Sequence, residues 1–185
     1  MSGMKVLISR DQIALRIAEL GRQITADSAG EPVVFVGVLK GAAMFLSDLV
    51  RQITVDATFD FIGVSSYGKA LGAKQPVWDS TGEVRLTKDV EQSLRGKNVI
   101  LVEDILDTGL TLTFLKRLLL GHQPRSLRIA VLLDKTARRK IAVEADYVGF
   151  TIPDEFVVGY GLDYAEQYRN LPDICVLPDV SIKEA

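Results

Sequence analysis

Residues 99–111 hold the densest chemistry of the chain. A hydrophobic run, Val99-Ile100-Leu101-Val102, leads into the adjacent carboxylates Glu103 and Asp104, and Asp107-Thr108-Gly109-Leu110-Thr111 then opens what reads as a helix. Backbone N–H groups and hydroxyls from Asp107 to Thr111 can cradle a phosphate at a helix N-terminus. Carboxylates beside an anion site would repel the phosphate unless they serve another part of the ligand. Sugar hydroxyls, which donate hydrogen bonds, and a bridging Mg²⁺ are the natural candidates. The ligand implied is a ribose phosphate. Taken alone, the same residues could form a helix cap and a solvated strand end; the length and order of the motif favour the ligand site.

Further polar groups follow hydrophobic runs elsewhere. Lys40-Gly41 closes the run 33–39, and Asp134-Lys135 closes the run 126–133. Lys135 could be a snorkelling surface lysine, but at a strand's carboxyl end it is better placed to donate to a ligand carbonyl. Arg169 could be a surface ion-pair arginine, although its planar fork suits a pair of phosphate oxygens. Two familiar phosphate motifs fail. Residues 63–70 nearly spell a P-loop, but Ala70 lacks the hydroxyl that holds Mg²⁺, and Gly72 and Pro76 spoil the helix that should follow. Gly159-Tyr160-Gly161 begins like a dinucleotide fingerprint, but Tyr164 stands where its last glycine belongs. The basic run 135–140 reads as a solvated face or a subunit contact, because no aromatic residues interleave it as a nucleic-acid surface would require.

Composition narrows the chemistry by exclusion. With 185 residues the chain reads as one domain over 1–185. A single cysteine, Cys175, and a single histidine, His122, exclude a disulfide framework, a four-cysteine zinc site and a His-rich metal site. Cys175, in an apolar run, reads as inert core, and His122 as lying near a helix C-terminus. A net charge of −2 gives no global reason to bind nucleic acid. The opening residues lack the apolar core of a signal peptide, and no apolar stretch suits a membrane span. The expectation is a cytoplasmic protein with neither a membrane nor a nucleic acid as partner.

The elements that must position these groups alternate between strand and helix. Ser9 and Gln12 form a capping box, and Ile13, Ile17, Leu20 and Ile24 recur at helical spacing behind it. Residues 33–39 read as a strand covered on both faces, and residues 42–53 as a helix. Phe59, Phe61 and Val64 suggest a strand of imperfect alternation, and 83–87 a further one. Strands follow at 98–102, 126–133, 147–152 and 174–177, with a helix over 112–120. Such alternation implies right-handed crossovers and a parallel sheet, with ligands beyond the carboxyl ends of its strands. Residues 67–82 are long and structureless by pattern, which fits a lid or a binding loop.

Residues 99–111 resemble the signature of type I phosphoribosyltransferases, which bind phosphoribosyl pyrophosphate (PRPP). Leu39-Lys40-Gly41, Ser65-Ser66-Tyr67-Gly68, Thr81-Gly82-Glu83-Val84, Asp134-Lys135 and residues 153–172 extend the resemblance, in order, to the bacterial hypoxanthine-type members of that family. The resemblance implies an α/β fold with a central, mainly parallel sheet flanked by helices. A small hood from the N- and C-terminal segments and a flexible lid over about residues 66–82, including Ser66 and Tyr67, complete it. It implies Mg²⁺-dependent transfer of phosphoribose from PRPP to a 6-oxopurine such as hypoxanthine or guanine. In that reading Asp107 sits near the purine N7 as general base or proton holder, and Glu103 and Asp104 hold the ribose hydroxyls directly or through Mg²⁺. Thr108, Gly109, Leu110 and Thr111 cradle the 5′-phosphate. Lys40, Gly41 and Arg169 meet pyrophosphate, with a cis peptide at Leu39-Lys40. Lys135 reads the 6-oxo group, Phe156 stacks on the base, Val157 reads its edge, and Asp163 holds Mg²⁺. A homodimer or homotetramer is implied as well. The stretch 69–80, with Trp78, is longer than the resemblance leads one to expect for a bacterial member. A xanthine- or guanine-preferring transferase and a non-catalytic nucleotide sensor are the alternatives.

Overall fold

A computed structural model describes residues 4–66 and 84–177. The expected lid, Tyr67 included, lies outside the described residues apart from the backbone of Ser66. The chain runs through β1 (Lys5–Ile8), α1 (Arg10–Asp27), β2 (Val33–Leu39), α2 (Ala43–Val50), β3 (Ala57–Ser66) and β4 (Val84–Lys88). It continues through β5 (Asn98–Leu106), α3 (Leu110–Gly121), β6 (Ser126–Asp134), β7 (Tyr147–Thr151), β8 (Val157–Val158) and β9 (Ile174–Val176), with a 3₁₀ turn at Thr136–Arg138. The main sheet has the order β4-β3-β2-β5-β6-β7; only β4 runs antiparallel to its neighbour. A second, antiparallel sheet joins β1, β9 and β8. This is the mixed α/β sheet flanked by helices that the sequence leads one to expect.

Burial explains the layering. Successive side chains of a strand point to opposite faces, and β2 is buried along nearly its whole length. Val33 and Phe35 meet Ile17, Leu20, Phe45 and Leu49 of α1 and α2, whereas Val34 and Val36 join Leu112, Leu115 and Leu119 of α3. Gly37 lets α2 come close: a Cβ there would lie 2.7 Å from Leu46 Cδ2 and 3.3 Å from Phe61 Cδ1. The capping box of α1 forms as its sequence predicts, with Gln12 N donating to Ser9 Oγ at 3.3 Å and Ser9 N to Gln12 Oε1 at 2.9 Å.

Several boundaries differ from the sequence reading. β5 does not end at Val102 but runs on to Leu106, paired with β6 as far as Leu106↔Asp134, so Glu103 and Asp104 lie inside a strand. Ile105 and Leu106 continue the apolar content past the acids, which is why the strand continues. α2 stops at Val50 rather than Ile53, and residues 51–53 turn. Phe59 remains 57% exposed while Phe61 packs on the core, which accounts for the weak alternation of β3. β1 and β8 carry no sequence signal of their own, being short and held by pairings such as Lys5↔Val176 and Val158↔Cys175.

Candidate active site

The continuation of β5 carries its acids inward, Glu103 buried and Asp104 half-buried. Glu103 is only 7% exposed, and its Oε2 has no hydrogen-bond partner among the described residues. Burial, followed by the charge of Asp104, pushes its carboxyl well above the ordinary range. Burial also pushes Asp104 up, against hydrogen bonds from Glu103 and Ile105 N and the nearby charge of Arg169. Two adjacent buried carboxyls of this kind favour one shared proton over two charges. Asp104 Oδ1 accepts from Ile105 N at 2.8 Å. Its other oxygen lies against Gly41, so that a Cβ on Gly41 would overlap it and come 2.5 Å from Asp104 Cγ. The peptide Leu39-Lys40 just before Gly41 is cis.

Beyond Asp107 the chain turns into α3 through Gly109, which holds a φ of +88°. Left-handed backbone suits glycine, and space demands it too, because a Cβ would lie 2.7 Å from Ile141 O and 2.9 Å from Val143 Cγ1. Lys140 N and Ile141 N donate to Thr108 O at 3.0 and 3.1 Å, so the segment after β6 backs this loop. Thr108 Oγ1 accepts weakly from Leu110 N at 3.4 Å. No side chain caps α3. Apart from the weak bond of Leu110 N to Thr108 Oγ1, its first N–H groups, that of Thr111 among them, face no side-chain cap and can meet an anion.

A second cluster gathers beside the end of β6. Lys135 is 5% exposed; burial lowers its pKa, while Asp107 and Asp154 pull it back up. Its Nζ lies 3.8 Å from Asp154 Oδ1. Arg138 Nε lies 3.4 Å from Asp107 Oδ1 and 3.9 Å from Asp154 Oδ1. Phe156 meets Tyr164 edge to face, with ring centroids 5.6 Å apart, and Val157 is buried in β8. The sequence reading of 135–140 as a solvated face needs correction. Arg138 turns towards Asp107, and Arg139 pairs with Asp134 among largely buried atoms. The exposed residues of the run are Thr136, Ala137 and Lys140.

A third cluster joins Lys40 to the chain after β8. Lys40 Nζ donates to Glu166 Oε2 at 2.8 Å. Arg169 reaches Asp163 at 2.8 Å and Glu166 at 3.5 Å, and it donates to Gly161 O at 2.7 Å. Asp163 Oδ2 also accepts from Glu166 N at 2.9 Å. A Cβ on Gly161, which has a φ of +99°, would run into Gly41 O, so this segment lies directly on the Gly41 loop. Apart from Ser66, the expected site residues within the described region lie in these clusters or in the loop that opens α3. Ser66 ends β3 and pairs with Val84; Tyr67 lies outside the described residues.

Sequence reasoning missed Arg138, Asp154, Glu166 and Tyr164. All of these lay within quoted motifs, but nothing in their spacing announces contacts formed only by folding. Among the described residues no three His, Cys, Asp or Glu side chains converge as a metal cage, and no helix is long and apolar enough to cross a membrane. A cavity of about 230 Å³ opens at the opposite, amino end of the parallel strands. Its arginines are engaged within the protein, Arg125 with Glu31 and Arg128 with Tyr147. The chemistry lies at the carboxyl end.

A mainly parallel sheet with an uncapped helix start, acids and convergent cations at its carboxyl edge is the arrangement of an α/β protein that binds an anionic ligand there. The sequence model of the phosphoribosyl transferase domain matches residues 8–165, and the chain belongs to that family. It is 50% identical over 177 residues to the hypoxanthine-guanine phosphoribosyltransferase of Staphylococcus aureus (strain Mu50), with 95% of both chains covered. It is 49% identical over 173 residues to the bifunctional protein TilS/HprT of Listeria innocua; the match covers 94% of this chain and 26% of that protein, so the chain spans about a quarter of its length. A crystal structure of a Bacillus anthracis hypoxanthine-guanine phosphoribosyltransferase, with HEPES in its active site, superposes with a TM-score of 0.86 at 50% identity, covering 94% of this chain and 98% of that one.

Proposed function

We propose that the chain is a purine-salvage enzyme that transfers the 5-phosphoribosyl group of PRPP to N9 of hypoxanthine or guanine. The C1′–O bond to pyrophosphate breaks, the C1′–N9 bond forms, and the base gives up one proton; the products are IMP or GMP and pyrophosphate. The observation that carries this reading is a buried acid pair, a further carboxylate and an uncapped helix start within residues 103–111, at the carboxyl edge of a parallel sheet. The similarity to relatives named for this activity supports it.

Glu103 and Asp104 take the ribose hydroxyls. A buried, unpartnered carboxylate oxygen is an acceptor waiting for a donor, and a hydroxyl supplies one. The N–H groups and hydroxyls from Thr108 through Gly109 and Leu110 to Thr111 hold the 5′-phosphate. Asp107 takes or holds the proton at the purine N7, Lys135 donates to the 6-oxo group, Phe156 stacks on the ring and Val157 meets its edge. Lys40, Gly41 and Arg169 take the pyrophosphate. Displacement at C1′ passes through an oxocarbenium-like state, so the residues serve by positioning and by stabilising separating charge.

The donor set fits Mg²⁺, which typically keeps one or two protein carboxylates and completes its shell with water and substrate phosphates. Asp163 would hold it, with Glu103 and Asp104 contributing indirectly, and the ion would neutralise developing charge on the leaving pyrophosphate. The same reading carries a single domain over 1–185 with a hood from its terminal segments, a lid over about 66–82, assembly as a homodimer or homotetramer, and a cytoplasmic location.

The test is nucleotide formation from PRPP and Mg²⁺ with hypoxanthine, guanine and xanthine in turn. Turnover with hypoxanthine or guanine is expected, and none with any 6-oxopurine would overturn the proposal. Asp107→Asn should cost about 10²-fold or more in kcat; an unchanged rate would remove Asp107 from its role.

A further inference from the structure

The basic run 135–140 is a sequence motif to which the proposed reaction gives only one task, that of Lys135. Arg138 is one of its inward-facing members. Its Nε lies 3.4 Å from Asp107 Oδ1 and 3.9 Å from Asp154 Oδ1, and Lys135 Nζ lies 3.8 Å from that same Asp154 oxygen. The four side chains form an alternating row: Asp107, Arg138, Asp154, Lys135. The two ends of the row are the groups assigned above to N7 and the 6-oxo group, which are neighbours on one edge of the purine.

We infer that Arg138 is a positioning residue for nucleobase recognition: it holds Asp107 away from Lys135 and so leaves both ends of the row free for the purine edge. The inference rests on the proposed transferase reading. Asp107 Oδ1 is buried and makes no hydrogen bond among the described residues, so the guanidinium of Arg138 is the neighbour that fixes it. Lys135 is a buried cation that needs a counter-charge, and both Asp107 and Asp154 act on it. Removing Arg138 leaves Lys135 as the nearest cation for two acids. Asp107 then collapses onto Lys135, tying up the acceptor and the donor the purine needs. The guanidinium is about one-third exposed, at the end of a 3₁₀ turn whose own backbone bond runs from Arg138 N to Lys135 O. Its truncation therefore opens no core cavity. The phosphate loop is backed by the backbone N–H groups of Lys140 and Ile141, which the side chain of Arg138 does not supply.

The experiment compares steady-state kinetics of the parent protein, Arg138→Ala, Arg138→Lys, Asp107→Asn and the double variant Arg138→Ala/Asp107→Asn, with PRPP and hypoxanthine each varied. Arg138→Ala should lower kcat/KM for hypoxanthine roughly 10-fold to 100-fold, the range expected for residues in one ionic network. KM for PRPP should stay within about twofold, and Arg138→Lys should restore most of the loss by restoring the charge. Because Arg138 acts through Asp107, the double variant should be scarcely worse than Asp107→Asn alone. An unchanged Arg138→Ala, an equal rise in KM for PRPP, a lysine variant no better than alanine, or fully multiplicative losses would each overturn the inference. A parent protein without turnover would overturn the transferase reading instead. Calorimetric binding of IMP, expected to weaken in Arg138→Ala by a similar factor, decides the role of Arg138 in that event too, and equal affinity for parent and variant would refute it.

Discussion

Gly41→Ala puts the assigned geometry to a quantitative test. A methyl at this position would lie 2.5 Å from Asp104 Cγ and overlap one of its carboxylate oxygens. Carbon atoms rest about 3.5–4.0 Å apart, so one partner must move by roughly 1 Å. Gly41 is held from its other side, because Gly161 leaves no room against Gly41 O. Asp104 is the partner that yields, giving up its 2.8 Å bond from Ile105 N. Overpacking of this kind costs about 1–3 kcal/mol of stability, which for a chain of this size lowers Tm by roughly 2–12 °C. A 1 Å misplacement at a reacting site costs about 10²-fold in rate, or ~2.7 kcal/mol of transition-state stabilisation. Gly30→Ala is the matched control. It has a φ of +82° and nothing within 4 Å of its Cβ, so it carries a backbone cost of about 1–2 kcal/mol far from the site. Initial velocities and thermal melts of both variants decide the matter. Gly41→Ala should lose about 10²-fold in kcat/KM for PRPP, while Gly30→Ala melts lower yet turns over normally. A Gly41→Ala enzyme within threefold of the parent, or a Gly30→Ala enzyme impaired in proportion to its Tm, would refute the placement of Asp104 as a ligand-holding group.

Other consequences follow from buried charge. Lys135→Met removes a cation that burial disfavours and keeps the length of the side chain, so KM for hypoxanthine should rise at least ~10-fold with Tm unchanged or raised; a lower Tm with parental KM would contradict this. Asp60 accepts from Phe61 N at 2.7 Å, Glu91 N at 2.7 Å and Gln92 N at 3.1 Å. Burial opposes its ionised form, but these backbone bonds and nearby Lys88 outweigh that and hold its carboxyl below the usual range. Its contribution is therefore complete above the ordinary carboxylate pKa of about 3.9 and is lost as pH falls through the lower folded value. Asp60→Asn turns an amide donor against backbone donors, and in urea melts it should cost about 1–3 kcal/mol at pH 7. The gap from the parent should narrow below pH ~4; a gap that persists or widens in acid would show that the carboxylate is not what matters.

How much of this was legible in the sequence depended on how local the signal was. α1, β2 and the turn from β5 into α3 are written in periodicity, capping residues and a contiguous motif, and they fold where that chemistry places them. By pattern alone β5 ends at Val102, because Glu103 and Asp104 look like a solvated end; only the pairing with β6 shows that the strand carries them inward. Of the small sheet only β9 shows in the sequence pattern; β8 has two residues and β1 four, and β1 finds its partner β9 at the other end of the chain. The ion pair of Lys40 with Glu166 spans 126 positions, and no spacing rule reaches that far. The cis peptide at Leu39-Lys40 follows from the family resemblance alone.

One electrostatic rule joins the three clusters. An isolated charge withdrawn from water is costly, and the proposed site, with phosphates, a metal and a purine edge to meet, would need several such charges at once. Each group here has an internal counterpart: Lys40 and Arg169 share Glu166, Arg169 also holds Asp163, Arg138 holds Asp107, and Lys135 faces Asp154. Glu103 and Asp104 answer each other instead, by favouring a proton between them. Ligand binding in such a site exchanges one partner for another rather than filling bare charges. In the proposed reaction pyrophosphate oxygens would displace Glu166 from Lys40, a ribose hydroxyl would supply the donor that Glu103 Oε2 lacks, and the purine edge would enter between Asp107 and Lys135. The charges of the three clusters largely answer one another, so the near-neutral total of the chain gives no sign of how many of them are gathered at the site.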